Sequence, residues 1–262
     1  MPSRREVYVL DKWKKQRILM KDSKASSHIP QTCLFEWKPL YDYLDQYQDV
    51  YVKPIVGSGG RGIIRISRVG EDQYRLQAGT NQKHLHGQDE LKRKLQKRLK
   101  GKGTFMLQQG IDLLRVEGKP VDFRALLLKP EKKWEYMGVM GKQAAKDKMV
   151  TNHCQGGKAL TLSQSLKRSG MDEILRYKQV KEDMKKLALA VARTISEHYP
   201  HVRQLGLDLA LDKQGMLWVL EANTKPGFKL FQKHNDRTLY PRIYRAIRSI
   251  RNQYPFDHSF RR

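Results

Sequence analysis

Three oxygen-bearing side chains lie near the ends of two predicted strands that follow one another in the chain. Asp208 lies in the first apolar stretch, Glu221 and Asn223 lie in the second, and a turn centred on residues 212–215 joins them. In an antiparallel hairpin the three can converge at one end, since residues two apart in a strand share a face. Such hard oxygen ligands favour Mg²⁺, or Mn²⁺ in its place, held against phosphates. A hairpin with solvated acids is the alternative that this feature alone leaves open.

A glycine-rich loop is the second feature with chemical potential. It follows Lys53 on a predicted strand at 50–56 and precedes a strand at 62–69, and its residues are Gly57, Ser58, Gly59, Gly60, Arg61 and Gly62. Consecutive glycines let the backbone approach an anion and direct several amides at it. A β-branched strand follows at 63–67, which excludes a dinucleotide fingerprint, and neither a Walker lysine nor the protein-kinase signatures follow. The pattern favours a β-hairpin lid over a nucleoside triphosphate, with a plain glycine-rich hairpin as the alternative.

The spacing of apolar residues in the rest of the chain predicts the helices and strands that position these side chains. It predicts helices and strands in mixed order with mostly antiparallel pairing, which is an α+β fold. The predicted helices cover 10–20, a segment from Pro39, 88–100, 178–198 and 238–251, and further strands cover 73–78, 104–109, 121–129 and 134–142. In the first helix we expect Leu10, Trp13, Leu19 and Met20 to be the apolar anchors.

Composition limits the functional classes. The formal net charge is +25, from 52 Lys and Arg against 27 Asp and Glu, which favours polyanionic partners. A nucleic-acid binder stays open, although no nucleic-acid-binding motif accompanies the charge. No run of 18 apolar residues predicts a membrane span, and the charged start predicts no secretory signal. The two cysteines, Cys33 and Cys154, match no metal spacing and indicate free thiols of a reducing, cytoplasmic compartment.

The order of lysine strand, glycine lid and distant Asp…Glu-x-Asn resembles the ATP-grasp superfamily from about residue 28 to 230. Within it the chain resembles the YheC/YheD family, known as endospore coat-associated, on Lys12-Trp13 and on residues 29–32, 107–111, 122–124 and 150–157. The resemblance implies two α+β subdomains with ATP between them and a mostly missing N-terminal domain ahead of them. We expect a short helical segment at 1–49, a lid subdomain at 50–112 and a C-terminal subdomain with the metal site at 113–262.

The resemblance also implies roles for individual residues. Lys53 and the glycine loop would hold the triphosphate, and Asp208, Glu221 and Asn223 would bind magnesium. A hinge at Gln108, Gln109 and Ile111 would contact adenine through its backbone, and Arg124, Lys142 and Asn152 would face the γ-phosphate or an acyl phosphate. Lys142 stands where related ligases often carry arginine. From the residues alone, Asp122 and Arg124 share a strand face, and an ion pair and a phosphate contact are both open for them.

Two functions therefore compete. The resemblance implies an ATP-dependent carboxylate–amine ligase that forms an acyl phosphate on an unknown substrate, such as an acidic peptide, a polymer or a spore component. The alternative is a non-catalytic ATP-binding spore-coat protein whose basic surface holds it to an anionic layer.

Overall fold

A computed structural model of the chain describes residues 8–145, 157–171 and 174–254. Within these ranges the helices are α1 (Lys12–Leu19), α2 (Trp37–Gln46), α3 (Gly87–Leu99), α4 (Leu162–Arg168), α5 (Ile174–His198) and α6 (Leu239–Gln253). The strands are β1 (Thr32–Leu34), β2 (Asp49–Pro54), β3 (Ile64–Gly70), β4 (Gln73–Ala78), β5 (Asn81–His86), β6 (Phe105–Gln109), β7 (Arg115–Val116), β8 (Lys119–Leu128), β9 (Glu135–Gln143), β10 (Lys158–Thr161), β11 (Gln204–Leu211) and β12 (Leu217–Asn223).

These strands form two antiparallel sheets. The first has the order β1-β6-β2-β3-β4-β5, and the second has the order β10-β9-β8-β11-β12, with β7 paired to β8. The glycine loop connects β2 to β3, and the predicted metal hairpin is β11–β12 at one edge of the second sheet. The architecture confirms the α+β fold class. No helix in the described ranges is long and apolar enough to cross a bilayer.

The first sheet is covered by α2 and α3. Leu40 and Leu44 of α2 are one turn apart and buried, and the same spacing buries Leu91 and Leu95 of α3. They pack against alternate residues of the central strands, including Val50 and Val52, Ile64 and Ile66, Leu76 and Leu107. Each such leucine contributes about 1.5–3 kcal/mol by burial, so the packing fixes the strands from which the loop emerges.

The second sheet is buried on both faces. Phe123, Ala125 and Leu127 of β8 pack in the core that contains α5, whereas Leu126 and Leu128 pack in the core that contains α6. This two-sided burial explains the continuous apolar run of β8. Asp122 and Arg124 point to the same side of the sheet as Leu126 and Leu128, which face α6, but they lie nearer the start of β8. The polar site therefore occupies the part of this face that α6 does not cover.

Several elements differ from the prediction. Helix α5 begins at Ile174 rather than 178, and β5, β10 and α4 were not predicted. β5 is a mostly exposed polar edge strand, so it lacks the apolar alternation that identifies strands. β1 pairs with β6 and α2 packs on the first sheet, so residues 32–46 lie with that sheet. The division into segments at 1–49, 50–112 and 113–262 stays a prediction.

Candidate functional site

The β11–β12 hairpin brings the three predicted metal ligands to one face. Asp208 is the register partner of Glu221, and Gly206 is the partner of Asn223. Directly opposed residues point to the same side of a sheet, and Asn223 lies two residues beyond Glu221 on that side. A register irregularity follows Asp208, so its carboxylate lies where the regular pairing ends.

Asp208 is held by two cations from neighbouring strands. Nε of Arg124 donates to its Oδ1 at 2.8 Å, Nη2 of Arg124 donates to its Oδ2 at 3.1 Å, and Nζ of Lys142 donates to Oδ1 at 2.8 Å. Lys142 also lies 3.0 Å from Oδ1 of Asp122, its register partner across β8 and β9. Of the two contacts left open for Arg124, the structure therefore contains an ion pair, in which the partner is Asp208.

Electrostatics in this cluster favour the charged forms. Burial alone would raise the pKa of the Asp208 carboxyl, but Arg124 and Lys142 outweigh it and hold that pKa below its usual range. Burial likewise lowers the pKa of Lys142, and the carboxylates of Asp122 and Asp208 more than reverse this, so the net direction is upward. The ions are thus paired and remain charged at neutral pH.

The donor set suits a hard cation. Two carboxylates and one amide oxygen are ligands that Mg²⁺ accepts, and neither sulfur nor imidazole, the ligands that softer metals prefer, is among these three side chains. Oδ1 of Asn223 accepts the amide of Lys225 at 2.8 Å, which fixes the orientation of its side chain. Oε2 of Glu221 lies 3.7 Å from Nζ of Lys12. The residues therefore fit magnesium.

Lys53 approaches this cluster from the first sheet. Its Nζ donates to Oε1 of Gln108, and Nε2 of Gln108 lies 3.4 Å from both Oγ1 of Thr32 and the carbonyl oxygen of Leu220 on β12. Burial lowers the pKa of Lys53 to about 8, with the carboxylate of Glu221 opposing the shift. Gln108 thus connects the two sheets and positions the predicted phosphate-binding lysine.

The predicted hinge is used mostly for structure. The amide of Gln109 donates to the carbonyl of Gln31, and that of Gly110 donates to the carbonyl of Asp49, each at 2.8 Å. A Cβ on Gly110 would lie 2.5 Å from Cβ of Asp49, so only glycine fits there. The amides of Gln109 and Gly110 are thus already bonded within the fold, and the adenine-binding role of Gln108, Gln109 and Ile111 stays a prediction.

The glycine loop is exposed from Gly57 to Gly59 and again at Arg61 and Gly62. Gly59 and Gly60 have φ angles of 69° and 72°, a left-handed conformation that side chains disfavour. Ile63 is buried directly after the loop and attaches it to β3. The loop is therefore an exposed turn with firmly held ends, as a closing lid requires.

Helix α1 contributes site residues that the sequence analysis missed. Lys12, Lys15 and Gln16 are buried, whereas the predicted anchor Leu10 is 59% exposed. Of the four expected anchors, Leu19 is buried and Met20 packs against the same core, whereas Leu10 is exposed and Trp13 is only partly buried, so the prediction missed the polar residues of the buried face. The spacing 12, 15, 16, 19 was the available signal, because it marks one helical face. The predicted Asn152, together with His153 and Cys154, lies outside the described residues.

Comparisons with known proteins bear on the family and the fold. A family model described as YheC/D-like ATP-grasp matches residues 6–249. The endospore coat-associated protein YheD of Bacillus subtilis (strain 168) is 26% identical over 242 residues, which cover 86% of this chain and 50% of YheD. Endospore coat-associated protein YheC of the same strain is 27% identical over 227 residues, covering 84% of this chain and 60% of YheC. The chain thus spans about half the length of the curated relatives it matches.

Solved structures share the fold at low identity. The D-cycloserine synthetase DcsG superposes with a TM-score of 0.58 at 15% identity, covering 92% of this chain and 70% of that one. The ATP-grasp ligase PsnB, in a complex with a phosphomimetic variant of its minimal precursor, Mg and ADP, gives a TM-score of 0.52 at 12% identity, covering 92% and 58%. At these identities the similarity establishes the fold alone.

Proposed function

The chain belongs to the YheC/D-like ATP-grasp family, and from this premise we propose that it binds MgATP between its two sheets and joins a carboxylate to an amine. The observation that carries the proposal is the meeting of Lys53, Arg124 and Lys142 around the acidic pair Asp208 and Glu221. Three partly buried cations from three strands suit a triphosphate and the charge that develops during phosphoryl transfer.

In the proposed reaction an oxygen of the carboxylate attacks the terminal phosphorus of ATP and ADP leaves. The amine then attacks the carbonyl carbon, loses a proton, and phosphate departs with the electron pair of the broken C–O bond. Such chemistry needs positioning and charge neutralisation rather than a protein nucleophile. Magnesium, held by Asp208, Glu221 and Asn223, would supply charge neutralisation at the phosphates.

The other side chains of the site would have separate roles in the reaction. Gln108 fixes the ammonium of Lys53, so Lys53 meets the triphosphate without an ordering cost. The planar guanidinium of Arg124 and the ammonium of Lys142 lie at Asp208, one of the residues that would hold magnesium, and from there would neutralise the transferred phosphoryl group. The exposed glycine loop would exclude water when it closes.

A second candidate is a non-catalytic ATP-binding coat protein. YheD and YheC are named as endospore coat-associated proteins, and a net charge of +25 would hold the chain to an anionic layer. Nucleotide binding is common to both candidates, so turnover has to separate them.

The first experiment is calorimetric titration of ATP with magnesium or with EDTA. Wild type should bind ATP in the presence of magnesium. Glu221→Gln and Lys53→Met should each weaken ATP binding at least about tenfold, because one charge-assisted contact contributes about that much to affinity. Lys38→Gln is the matched control, because Lys38 is an exposed lysine paired with Asp42 on α2. Equal loss in Lys38→Gln would mean that ATP binds only through net charge, and no binding by wild type would refute the proposal.

The second experiment measures phosphate release from ATP with short acidic peptides as carboxylates and an amino acid amide as amine. Release that requires both substrates and is lost in Arg124→Lys supports the ligase. Arg124→Lys keeps the charge but removes the two-point contact. MgATP binding without release by any pair in the series favours the coat protein.

A further inference from the structure

Helix α1 buries the wrong kind of residue for a packing helix. Lys12, Lys15 and Gln16 are only 5%, 4% and 3% exposed, whereas Lys14 and Arg17 on the same helix face solvent. Burying an ammonium group is costly unless anions or strong acceptors surround it. A helix of eight residues with two buried lysines therefore points to something that these lysines bind.

The contacts of these side chains within the chain are sparse. Nζ of Lys12 lies 3.7 Å from Oε2 of Glu221, and Nζ of Lys15 donates to the carbonyl of Val9 at 2.5 Å. The side-chain amide nitrogen of Gln16 is buried without a hydrogen-bond partner among the described residues. Glu221 thus pairs with Lys12, while Lys15 interacts with the carboxylates of both Glu221 and the N-cap residue Asp11. With Glu221 committed to a metal, Lys12 would lose its ion-pair partner, and Asp11 would be the carboxylate left near Lys15.

Hydrogen bonds from backbone amides attach the start of α1 to both sides of the site. The amide of Lys12 donates to the carbonyl of Ile55, where β2 leads into the glycine loop, at 2.8 Å. On the other side, the amide of Val9 donates to Oγ1 of Thr224, just after β12, at 3.1 Å. Hence α1 connects the lid strand to the metal hairpin. Burial lowers the pKa of Lys15 to about 8, and the carboxylate of Glu221 opposes the shift.

We propose that Lys12, Lys15 and the amide of Gln16 form an anion subsite that binds the carboxylate substrate. This inference rests on the proposed function. The phosphate-binding cations come from β2, β8 and β9, and two of them, Arg124 and Lys142, contact Asp208. Lys12 instead pairs with Glu221, and burial together with the charge of Lys12 lowers the pKa of Lys53, so the α1 donors come from a different element but adjoin the phosphate-binding cations. Two ammonium groups and an amide match the two oxygens of a carboxylate. The substrate class is therefore acidic.

The test is thermal unfolding in sodium glutarate against sodium chloride of equal ionic strength, with glutaramide as the uncharged analogue. Each series is run without nucleotide and with saturating Mg²⁺ and AMPPNP, which occupies the terminal-phosphate position. Glutarate should stabilise wild type in both series, whereas glutaramide should not. In Lys15→Gln and Lys12→Gln the apparent dissociation constant for glutarate should rise at least about tenfold. Lys14→Gln is the matched exposed control and should resemble wild type, and Lys15→Arg should retain most of the effect.

Three outcomes would overturn the subsite. These are no glutarate-specific stabilisation of wild type, equal stabilisation of Lys15→Gln and Lys14→Gln, and loss of the effect when AMPPNP is bound. The last result would assign the α1 lysines to the terminal phosphate. The design also separates the two proposals. A wild type that binds MgATP but not glutarate defeats only the subsite, whereas a wild type that binds no nucleotide defeats the proposed function.

Discussion

Asp208 and Glu221 are both proposed metal ligands, yet their loss should affect the stability of the fold very differently. Asp208 accepts three hydrogen bonds from Arg124 and Lys142, and the side chains of these three residues are 18%, 15% and 9% exposed. Glu221 is 29% exposed, and its closest ammonium, that of Lys12, lies 3.7 Å away. The comparison of Asp208→Asn with Glu221→Gln therefore isolates the structural part of the site.

The magnitude follows from the burial of the partners. Removing one member of a buried ion network leaves an uncompensated charge and costs about 3–5 kcal/mol. For a chain of this size about 2–4 °C is lost per kcal/mol, so Asp208→Asn should lower the Tm by roughly 6–20 °C. The pair of Glu221 with the buried Lys12 is longer, at 3.7 Å, so leaving that ammonium unpaired should cost less, about 1–2 kcal/mol, and Glu221→Gln should lower the Tm by about 2–8 °C. Both variants should lose magnesium-dependent ATP binding.

The assay is urea denaturation followed by tryptophan fluorescence, paired with thermal melting and ATP calorimetry on the same samples. Asp42→Asn is the control, because Asp42 makes an exposed ion pair with Lys38 and its loss should change the free energy of unfolding by at most about 0.5 kcal/mol. If Asp208→Asn unfolds within about 1 kcal/mol of Glu221→Gln, the argument from the Arg124–Asp208–Lys142 network is refuted.

Three further predictions test other parts of the site. MgATP affinity should fall as pH rises through about 8, because the ammonium of Lys53 loses its proton there in the free protein and phosphates bind the charged form. Calorimetry at about pH 6.5 to 9.5 should show this fall for wild type and a smaller change of affinity with pH for Lys53→Arg. Gly206→Ala places a Cβ 2.6 Å from Cβ of Pro226 and 3.3 Å from Cδ of Arg124, so urea denaturation should report a loss of about 1–3 kcal/mol and ATP binding should weaken. Gly60→Ala, at a φ of 72° in the loop, should weaken ATP binding with a stability loss of about 1–2 kcal/mol, measured by calorimetry and thermal melting.

Local patterns carried most of what the sequence predicted correctly. Glu221 and Asn223 are two residues apart and Asp208 lies across a short turn, so strand periodicity and hairpin pairing were enough to place all three on one face. The setting of the glycine loop was also predictable from neighbouring residues, because the β-branched residues after Gly62 favour a strand rather than a helix. These segments also carried the family resemblance, which the family match over residues 6–249 confirmed.

Long-range pairing was not predictable from one sequence. Arg124 meets Asp208 because β8 and β11 are neighbours in the sheet, although long segments of chain separate them. Alternation on β8 showed that Asp122 and Arg124 share a face, but it could not identify the cations or carboxylates opposite them. The role of Gln108 depends on the same information, since its side chain connects Lys53 to the carbonyl of Leu220 in the other sheet.

Helix α1 was misinterpreted for a reason that is itself informative. Its buried face has the i, i+3, i+4, i+7 spacing of an ordinary core face, but Lys12, Lys15 and Gln16 hold three of the four positions. A hydropathy rule assigns such residues to solvent, and that rule holds only where no anion is near. Here Glu221 of β12 lies beside the helix, and a carboxylate or a phosphate would add further negative charge. Polar residues at core spacing break a local rule, and natural proteins keep such violations mainly where binding or catalysis compensates for them.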